Sequence, residues 1–502
     1  MGVRDRIDFV RDRDVTLGSL LDRLVPVHGD LPLVEEDGDD GLKLTYGEAA
    51  GAVARWAGAL EAKIGHGDRV VVALPNGYGL FLLCLAVARA GGVAVPVNPK
   101  MRAEEIDHVV ADSDAALVVR DLAEVAGGEP GRSAPADPGD IAALFYTSGT
   151  TGKPKGAELS HRALVGRANA AALYPSRLRH DEAVSGMPVA HIAGFSMLVQ
   201  LATVGFSVYL LPKFRPDAAL DAIEVRRATM FVGVPAMYRM MLEAGAEERD
   251  LSSVRVWASG ADAMPFELAR RFQKMGATLR VPFTNRTVGE AAFVDGYGMV
   301  ELGGGAAIKV LPPGLALPVR GLVGIPLPGY RMRVVDEAGE PAPRGEVGEL
   351  VVKGPGVMRG YHGQRDATAE ALTAEGWLRT GDLARRGRLG LVEFAGRKKD
   401  VIKHGGYSVF AAEVEEALDQ HPAVAEAAVV GLPDSRKGEV PAAAVRLAGG
   451  QSVTEDELTA WAAERLSDYK VPRQVVFVDE LPRTGTEKVR KQDLKELFEP
   501  AG

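Results

Sequence analysis

The chain has 502 residues, of which 46% are hydrophobic and 25% are charged, and its formal net charge is -9. This length predicts more than one domain, and the negative charge disfavours a general nucleic-acid binder, which needs a dominant basic surface. The single cysteine, Cys84, excludes an intramolecular disulfide and favours a reducing compartment.

The N-terminal segment MGVRDRIDFVRDRD is charged and lacks an apolar core, so it does not match a secretory signal. The longest apolar stretch, 81–97, contains an arginine, two glycines and a proline, and it is too short for a membrane span. We therefore predict a cytoplasmic protein with no membrane span.

Short β-branched runs alternate with helical patterns in the first half of the chain. The first series consists of DRVVVALP, a helix over 78–90, GGVAVPVN, the helix AEEIDHVVADS and the strand ALVVR. A second series contains SVYLLP, ATMFVGVP and SVRVWASG, again interleaved with helices. This βαβαβ order predicts parallel sheets flanked by helices.

The pattern changes in the second half of the chain. From Gly324 onwards, strands punctuated by glycine and proline predict an antiparallel, β-barrel-like subdomain. After the charged stretch GRKKD, helices over 410–420 and 454–468 alternate with three strands and predict a compact α+β unit.

We therefore expect an α/β fold with a large N-terminal body of parallel sheets flanked by helices. The body is predicted to cover residues 1–396 and to end in a hinge at 397–400. A small mobile α+β domain, residues 401–502, is predicted to follow the hinge.

The most distinctive stretch is YTSGTTGKPKG (146–156), which is rich in glycine, hydroxyl groups and lysine. It follows the apolar strand AALFYTS and precedes a helix that starts near His161, an arrangement that presents backbone N–H groups and hydroxyls to phosphate. It is not a P-loop of the G-x-x-x-x-G-K-[ST] type, because Gly149 and Gly152 are too close together and Pro154 follows the lysine. The loop alone is consistent with a phosphate site or with a flexible surface turn.

Six further motifs accompany this loop. They are PVAHIAG (188–194), ASGADAM (258–264), GYGMVE (296–301), RTGD (379–382), GRKKDVIKHGG (396–406) and PRTGTEK (482–488). In this order and spacing they resemble the adenylate-forming superfamily of acyl- and aryl-CoA synthetases, peptide-synthetase adenylation domains and beetle luciferases, and we expect the acyl-CoA synthetase (fatty-acid–CoA ligase) branch. The resemblance covers essentially the whole chain.

The resemblance implies two half-reactions. A carboxylate attacks ATP to give an acyl-adenylate and pyrophosphate, and coenzyme A then attacks the adenylate. It also implies that the C-terminal domain rotates between the two steps. The implied ligands are ATP (or the AMP of an acyl-adenylate), Mg²⁺, coenzyme A and a small-molecule carboxylic acid.

By resemblance, the hydroxyls and lysine of the loop hold the β- and γ-phosphates of ATP, and its glycines let the backbone approach closely. Adenine is expected to lie between a segment of small residues and a stacking tyrosine. The ribose hydroxyls are expected to bind a carboxylate, whose two oxygens suit a vicinal diol. The loop residues in this role are Thr147, Ser148, Gly149, Thr150, Thr151, Gly152 and Lys153. The other nucleotide-binding residues are Gly260, Ala261, Asp262, Tyr297, Gly298, Met299, Val300, Asp382 (ribose) and Arg397.

Three residues match catalytic positions of the family. Glu301 is expected to help bind Mg²⁺, which shields the triphosphate during attack on the α-phosphorus. Lys488 is similar to the lysine that bridges the acyl carboxylate and the α-phosphate. His191 lies in the motif at the carboxylate entrance.

The region after the body matches the parts of the family that serve the second half-reaction. Asp400 occupies the hinge position, where the backbone changes conformation between the two steps. Gly405 and Gly406 are expected to line the pantetheine tunnel, because a thiol chain needs a wall without side chains.

Two positions depart from the family pattern where adenylation is expected. Val300 stands where the family usually has a threonine whose hydroxyl bonds the α-phosphate. Glu487 replaces a usual glycine and puts a negative charge beside Lys488. Either adenylation is preserved, or the chain only transfers the acyl group of a pre-made acyl-AMP to coenzyme A.

The expected acyl pocket is lined by small and apolar residues, and it lacks an acid to bind an amino group, which disfavours an amino acid substrate. Its residues are Ala193, Gly194, Phe195, Gly233, Leu302, Gly303, Gly304 and Gly305. The three consecutive glycines favour a long or bulky hydrophobic acid over acetate, unless they only form a turn.

Two other functions remain as alternatives. A luciferase-like monooxygenase would not depend on coenzyme A, and a non-catalytic nucleotide-binding relative would form neither AMP nor a thioester. We predict a monomer or homodimer that binds no nucleic acid.

Overall fold

The computed structural model describes residues 3–38, 41–147, 154–166, 181–280, 287–314, 321–387, 390–483 and 489–498. Within these ranges the helices and strands are numbered in chain order. The helices are α1 (Val3–Arg11), α2 (Leu20–His28), α3 (Tyr46–Glu61), α4 (Tyr78–Arg89), α5 (Ala103–Asp112), α6 (His161–Val165), α7 (Ile192–Val204), α8 (Pro216–Arg226), α9 (Pro235–Glu243), α10 (Phe266–Met275), α11 (Arg365–Ala371), α12 (Ala411–Asp419), α13 (Glu455–Ala463) and α14 (Lys491–Leu494). The strands are β1 (Pro32–Glu36), β2 (Lys43–Thr45), β3 (Arg69–Val72), β4 (Val93–Pro96), β5 (Ala115–Val119), β6 (Ile141–Thr147), β7 (Lys155–Ser160), β8 (Glu182–Ser185), β9 (Ser207–Leu210), β10 (Met230–Gly233), β11 (Val256–Gly260), β12 (Leu279–Arg280), β13 (Thr287–Val288), β14 (Ala292–Met299), β15 (Gly304–Leu311), β16 (Ile325–Pro326), β17 (Arg331–Val335), β18 (Val347–Lys353), β19 (Leu378–Arg386), β20 (Val392–Arg397), β21 (Val401–His404), β22 (Tyr407–Phe410), β23 (Val424–Asp434), β24 (Gly438–Leu447) and β25 (Gln474–Phe477).

Two largely parallel sheets form the body, as the βαβ pattern predicted. The larger sheet has nine strands in the order β16-β15-β14-β11-β10-β8-β9-β1-β2, and the smaller has five in the order β5-β3-β4-β6-β7. In the larger sheet the pairs from β14 to β1 are parallel and the strands at both ends are antiparallel. Parallel strands need helical crossovers, and the helices between them supply these.

Helix α4 lies inside the body core, and all of its residues except Gly79 are buried. A helix that is apolar on every side is enclosed by other elements. Phe81 on this helix packs edge-on against Phe195 of α7, with ring centroids 5.2 Å apart, and Phe195 packs against Phe145 of β6 at 5.3 Å. This aromatic chain connects the smaller sheet to α7, which packs on β15 of the larger one.

The region of the predicted phosphate loop differs from the expected strand–loop–helix. Strands β6 and β7 are antiparallel neighbours, with Thr147 opposite Lys155, so the loop joins the two strands of a hairpin. The helix predicted near His161 does begin there, but it follows β7 rather than the loop. The segment KPKGAELS has few of the β-branched and aromatic residues that mark a strand, and for this reason the sequence pattern did not reveal β7.

The strands after Gly324 are antiparallel, as predicted, and form a sheet in the order β17-β18-β19-β20. Strands β17 and β20 do not pair with each other in the part of the chain that the structure describes, so this sheet is open and the expected barrel-like closure is not observed. Four strands make the sheet too narrow to close on itself.

The C-terminal unit has the predicted α+β composition. Its sheet has the order β22-β21-β24-β23, with β25 parallel to β24. The helix predicted over 410–420 is α12, whereas the one predicted over 454–468 ends at Ala463 and a separate 3₁₀ turn follows at Asp468–Lys470. The buried core of this unit is separate from that of the body, whose last buried member is Ala384.

None of the helices within the described ranges is both long and apolar enough to cross a membrane.

Candidate active site

Several predicted site segments meet at one edge of the larger sheet. The parallel strands β10, β11 and β14 lie side by side, with Gly233 next to Ser259 and Gly260 next to Gly296. Their carboxyl ends therefore bring together the predicted acyl-pocket residue Gly233, the predicted adenine segment that begins at Gly260, and Tyr297. In open α/β sheets this edge is where ligands bind.

Tyr297, Asp382 and Arg397 form a connected group. Strands β19 and β20 pair so that Asp382 lies opposite Arg397. The Tyr297 hydroxyl donates to Asp382 Oδ2 at 2.6 Å, and Arg397 Nε lies 3.3 Å from Asp382 Oδ1. Burial and the charge of Asp382 raise the pKa of Tyr297 well above its usual value. The predicted ribose carboxylate is thus held in one orientation beside the predicted stacking ring, and its oxygens can each accept more than one hydrogen bond.

Sequence reasoning missed Asp295, which lies two residues before Tyr297 on β14. Its Oδ2 is 3.0 Å from Lys309 Nζ, whereas its Oδ1 is buried and has no hydrogen-bond partner among the described residues. The hydroxyl of Ser259, the neighbouring residue on β11, is also buried without a partner there. Burial raises the pKa of Asp295. Unsatisfied buried polar groups are costly, so this pair indicates a ligand that supplies the missing hydrogen bonds. The only signal in the sequence is an acidic residue within the apolar pattern AAFVDG.

The predicted adenine segment leaves β11 through a strained residue. Ala261 has a φ of 68°, a left-handed conformation that residues with a Cβ rarely adopt, and Asp262 follows it at the surface. Strained backbone concentrates at binding sites, which supports a functional role for this segment.

Glu301 lies in the 3₁₀ turn Val300–Leu302 after β14 and is only 7% exposed. The Tyr361 hydroxyl donates to Glu301 Oε1 at 2.8 Å. Histidine, cysteine and acidic side chains of the described residues form no group of three or more that could hold a metal ion. A single buried carboxylate nevertheless fits Mg²⁺, which is bound through one or two carboxylates and otherwise through substrate phosphates and water.

Val300 precedes Glu301 in the same turn, and its side chain is buried in the body core. Valine therefore satisfies the packing at this position but offers no hydroxyl to a phosphate.

His191 caps helix α7, where its Nδ1 accepts a hydrogen bond from the Ala193 N–H at 3.2 Å. Both residues are partly buried. A Cβ at Gly194 would overlap the Pro188 carbonyl oxygen, and Phe195 is fully buried in the aromatic core described above. Packing alone therefore accounts for Gly194 and Phe195, whereas His191 and Ala193 lie where a ligand can reach them.

The predicted glycine run divides into two parts. Gly303 has a φ of 63° and Gly304 a φ of 108°, so the turn into β15 requires both. At Gly305, the nearest atom to an added Cβ is a Leu327 methyl carbon 3.9 Å away. Leu302 is fully buried. A turn, which was the alternative explanation for the three glycines, accounts for Gly303 and Gly304. Among the three, only Gly305 leaves space for a ligand.

The hinge region contacts the C-terminal helix. Arg397 ends β20, and Asp400 ends the 3₁₀ turn that follows. Lys491 Nζ on α14 lies 2.6 Å from Glu415 Oε1 and 3.9 Å from Asp400 Oδ2. Burial opposes the charge of Lys491, but Glu415 and Asp400, with Asp262, raise its pKa. Helix α14 therefore lies beside the hinge.

Gly405 and Gly406 form the two-residue turn between β21 and β22, with φ of 57° and 85°. Hairpin turns of this length favour positive φ, which glycine adopts without strain. No heavy atom lies within 4 Å of a Cβ added at either position. The turn requires these glycines, and the space beside them is open.

Other predicted residues lie in strands or outside the described residues. Gly298 and Met299 end β14, and a Cβ at Gly298 would overlap the Gly304 carbonyl. Thr147 is the last residue of β6. Outside the described residues lie Ser148, Gly149, Thr150, Thr151, Gly152, Lys153, Glu487 and Lys488, whose roles stay predictions.

The fold and this arrangement define an adenylate-forming enzyme, and comparison with known proteins agrees. The AMP-binding enzyme family matches residues 21–130 and 121–362, and the AMP-binding enzyme C-terminal domain matches residues 413–488. The chain belongs to this family.

Its relatives are coenzyme A ligases. It is 36% identical to a feruloyl-CoA synthase from Amycolatopsis sp over 482 residues, which cover 91% of this chain and 94% of the relative. It is 33% identical to an indoleacetate–CoA ligase from Aromatoleum aromaticum over 491 residues, covering 90% and 93%. The structure of o-succinylbenzoate CoA synthetase from Bacillus subtilis in complex with its acyl-adenylate intermediate superposes with a TM-score of 0.81 and 28% identity, covering 95% of this chain and 98% of that one. This chain is thus an acyl-CoA synthetase, an acid–thiol ligase that binds ATP or AMP and acts through an acyl-adenylate.

Proposed function

We propose that this enzyme joins an aromatic or similarly bulky hydrophobic carboxylic acid to coenzyme A, with ATP and Mg²⁺ used in the first half-reaction. The observation that carries this proposal is the connected group of Tyr297, Asp382 and Arg397 at the sheet edge to which Gly233 also belongs. It supports one site that combines a ribose-binding carboxylate with an apolar wall.

In the proposed nucleotide site, adenine lies against Gly260 and Ala261, with Tyr297 on its other face. The ribose hydroxyls donate to Asp382, and the buried Oδ1 of Asp295 is available to accept from the base. Hydrogen bonds to a carboxylate are stronger than those between neutral groups, so these two residues orient the nucleotide.

The proposed phosphate site combines the loop from Thr147 to Lys153 with Glu301, which holds Mg²⁺ together with the triphosphate. When bound, the metal supplies positive charge that stabilises the departing pyrophosphate. Lys488 brings the acyl carboxylate and the α-phosphate together, and His191 contacts the carboxylate at the entrance of the acyl pocket.

The aromatic acid is supported by the small residues at the sheet edge and by the substrates in the relatives' names, feruloyl and indoleacetyl groups. At Gly305 the nearest atom to an added Cβ is 3.9 Å away, which leaves space for a flat ring, whereas a Cβ at Gly233 would meet the Phe231 ring at 2.8 Å. The segment after His191 carries no acid to bind an amino group.

The domain division belongs to the same proposal. The body, residues 1–396, binds the acid and ATP, and the lid, residues 401–502, turns about the hinge 397–400 to bring Gly405 and Gly406 to the pantetheine. The separate hydrophobic cores of the two units support this division. A cytoplasmic location, as a monomer or homodimer, stays a prediction.

A second candidate function follows from Val300. Because valine offers no hydroxyl to the α-phosphate, the enzyme would only transfer the acyl group of a pre-made acyl-AMP to coenzyme A. We favour the complete reaction, since the group of Tyr297, Asp382 and Arg397 is connected and Glu301 is retained as a buried carboxylate.

The test is a panel of acids, including ferulate, indoleacetate, benzoate, a long-chain fatty acid and malonate, with mass spectrometry of both acyl-AMP and acyl-CoA. We expect both products with the aromatic acids, and pyrophosphate release before coenzyme A is added. A preference for malonate contradicts the proposed acid. Acyl-CoA formed only from synthetic acyl-AMP, without pyrophosphate release, supports the second candidate instead.

A further inference from the structure

The segment 358–362 connects the exit of the predicted phosphate loop to Glu301. Tyr361 pairs with Ala157 of β7 in an isolated antiparallel bridge, and the Met358 N–H donates to the Glu301 carbonyl at 2.8 Å. This segment is therefore fixed at both ends, on one side to the strand that leaves the loop and on the other to the turn that carries Glu301.

Tyr361 contacts both of these elements through its side chain. Its hydroxyl donates to Glu301 Oε1 at 2.8 Å, and Lys155 Nζ lies 5.2 Å from the centroid of its ring. Both contacts are attractive, since a carboxylate accepts a strong hydrogen bond and an aromatic face attracts a cation. These two contacts join residues that are far apart in sequence.

The hydroxyl of Tyr361 holds one of the two carboxylate oxygens of Glu301. The Glu301 side chain is only 7% exposed, and the Tyr361 hydroxyl donates to its Oε1. A carboxylate whose rotation is stopped at one oxygen presents the other in a fixed direction, which is what a preorganised ligand group requires.

We propose that Tyr361 is a positioning residue for adenylation, which fixes the Glu301 carboxylate toward the metal–triphosphate and steadies Lys155 where the chain leaves the phosphate loop. This inference rests on the proposed function of Glu301. It adds a residue outside the sequence motifs to the same site.

The direct test measures ATP and AMP binding by isothermal titration calorimetry, with Mg²⁺ and with EDTA, for wild type and Tyr361→Phe. Phenylalanine keeps the ring beside Lys155 and removes only the hydroxyl. We expect the gain in ATP affinity from Mg²⁺ to fall about 10-fold, from the loss of one charge-assisted hydrogen bond, with AMP affinity unchanged. Equal loss of AMP and ATP binding indicates a general structural role and overturns the proposal.

The two half-reactions provide a second readout. In Tyr361→Phe, pyrophosphate release should slow about 10-fold with little change in KM for the acid, whereas thioester formation from synthetic acyl-AMP should keep its wild-type rate. Tyr361→Leu also removes the contact with Lys155 and should weaken ATP binding further, including in EDTA.

Tyr330→Phe is the matched control. The Tyr330 hydroxyl is buried and donates to the Leu302 carbonyl at 3.2 Å, next to Glu301 in the chain but not on its carboxylate. We expect this variant to remain within about twofold of wild type in Mg²⁺-dependent ATP binding, because its hydroxyl bonds a backbone carbonyl and not the Glu301 carboxylate. Equal effects of the two substitutions overturn the role of Tyr361.

If wild type itself binds ATP no better with Mg²⁺ than with EDTA, the proposed metal role of Glu301 fails, and the role of Tyr361 fails with it.

Discussion

His161 shows what burial does to a single titratable side chain. It is 3% exposed, and its Nδ1 accepts a hydrogen bond from the Leu17 N–H at 3.0 Å. Burial lowers the pKa of His161 to about 4, against the opposing charges of Asp140 and Asp137. The folded protein therefore keeps this imidazole neutral at pH values where the unfolded chain protonates it.

The stability should consequently fall as the pH decreases from about 6.5 to about 4. The unfolded chain binds the proton near its ordinary pKa of about 6.5, and the folded protein only near 4, so unfolding takes up a proton throughout this window. The neutral side chain contributes up to about 3 kcal/mol above the window, and this contribution is lost as the pH falls through it.

Urea midpoints measured from pH 7 to pH 4 on wild type and His161→Asn test this, since asparagine can still accept from Leu17 but does not titrate. Parallel pH profiles for the two proteins would show that His161 is not responsible.

The residues of the site could be predicted from sequence only where a short motif carries them. Asp382 and Arg397 were both predicted from local motifs, and they lie opposite each other on β19 and β20. Tyr361 and Asp295 were not predicted, because each acts through a partner on another element. The bond from Tyr361 to Glu301 joins a residue in an isolated β-bridge to a 3₁₀ turn, and no spacing in the sequence reports it.

At the scale of elements, prediction worked where periodicity is strong and failed where pairing decides the structure. The helices α4 and α12 and the parallel strands β3, β10 and β11 lie where the apolar patterns indicated. Strand β7 was missed because its polar sequence becomes a strand only through pairing with β6. The order of nine strands in the larger sheet depends on contacts between distant segments, which local patterns do not contain.

The hairpin at Gly405 and Gly406 leads to a prediction at this scale. Gly406→Ala places a Cβ at a φ of 85° in open space, so its structural cost is backbone strain of about 1–2 kcal/mol without a clash. If coenzyme A passes along this turn, the added methyl group should slow thioester formation from synthetic acyl-AMP several-fold and leave pyrophosphate release unchanged.

Gly450→Ala is the control for this substitution. Gly450 lies in the same domain with a φ of 74°, and a Cβ there also has no neighbour within 4 Å. Both variants should lose similar stability in thermal unfolding, but only Gly406→Ala should lose thioester formation. Similar kinetics for the two variants would remove Gly405 and Gly406 from the predicted coenzyme A tunnel.

At the scale of the whole molecule, ion pairs hold the C-terminal domain against the body. Arg239 of α9 lies 3.3 Å from Asp419 Oδ2 and 3.4 Å from Glu426 Oε1, and Glu426 also pairs with Arg483. Helix α9 starts directly after β10, the strand that ends at Gly233 in the proposed acyl pocket. In this orientation Lys491 of α14 lies 3.9 Å from Asp400 Oδ2 in the hinge.

Arg239→Gln should therefore weaken this orientation and slow pyrophosphate release more than thioester formation. Removing one partner of a mostly buried ion pair leaves Glu426 and Asp419 without that compensation, so we expect a decrease of about 10-fold or more in the first half-reaction. In the proposed cycle the domain leaves this position for the second half-reaction, whose rate should therefore stay the same or increase. Glu243→Gln is the control, because Glu243 pairs with Arg446 at 2.7 Å across the same interface but is half exposed. Exposed ion pairs contribute little, so this variant should behave as wild type in both half-reactions. Equal slowing of both half-reactions by Arg239→Gln would show that the contact supports the fold of the enzyme rather than one of its two domain orientations.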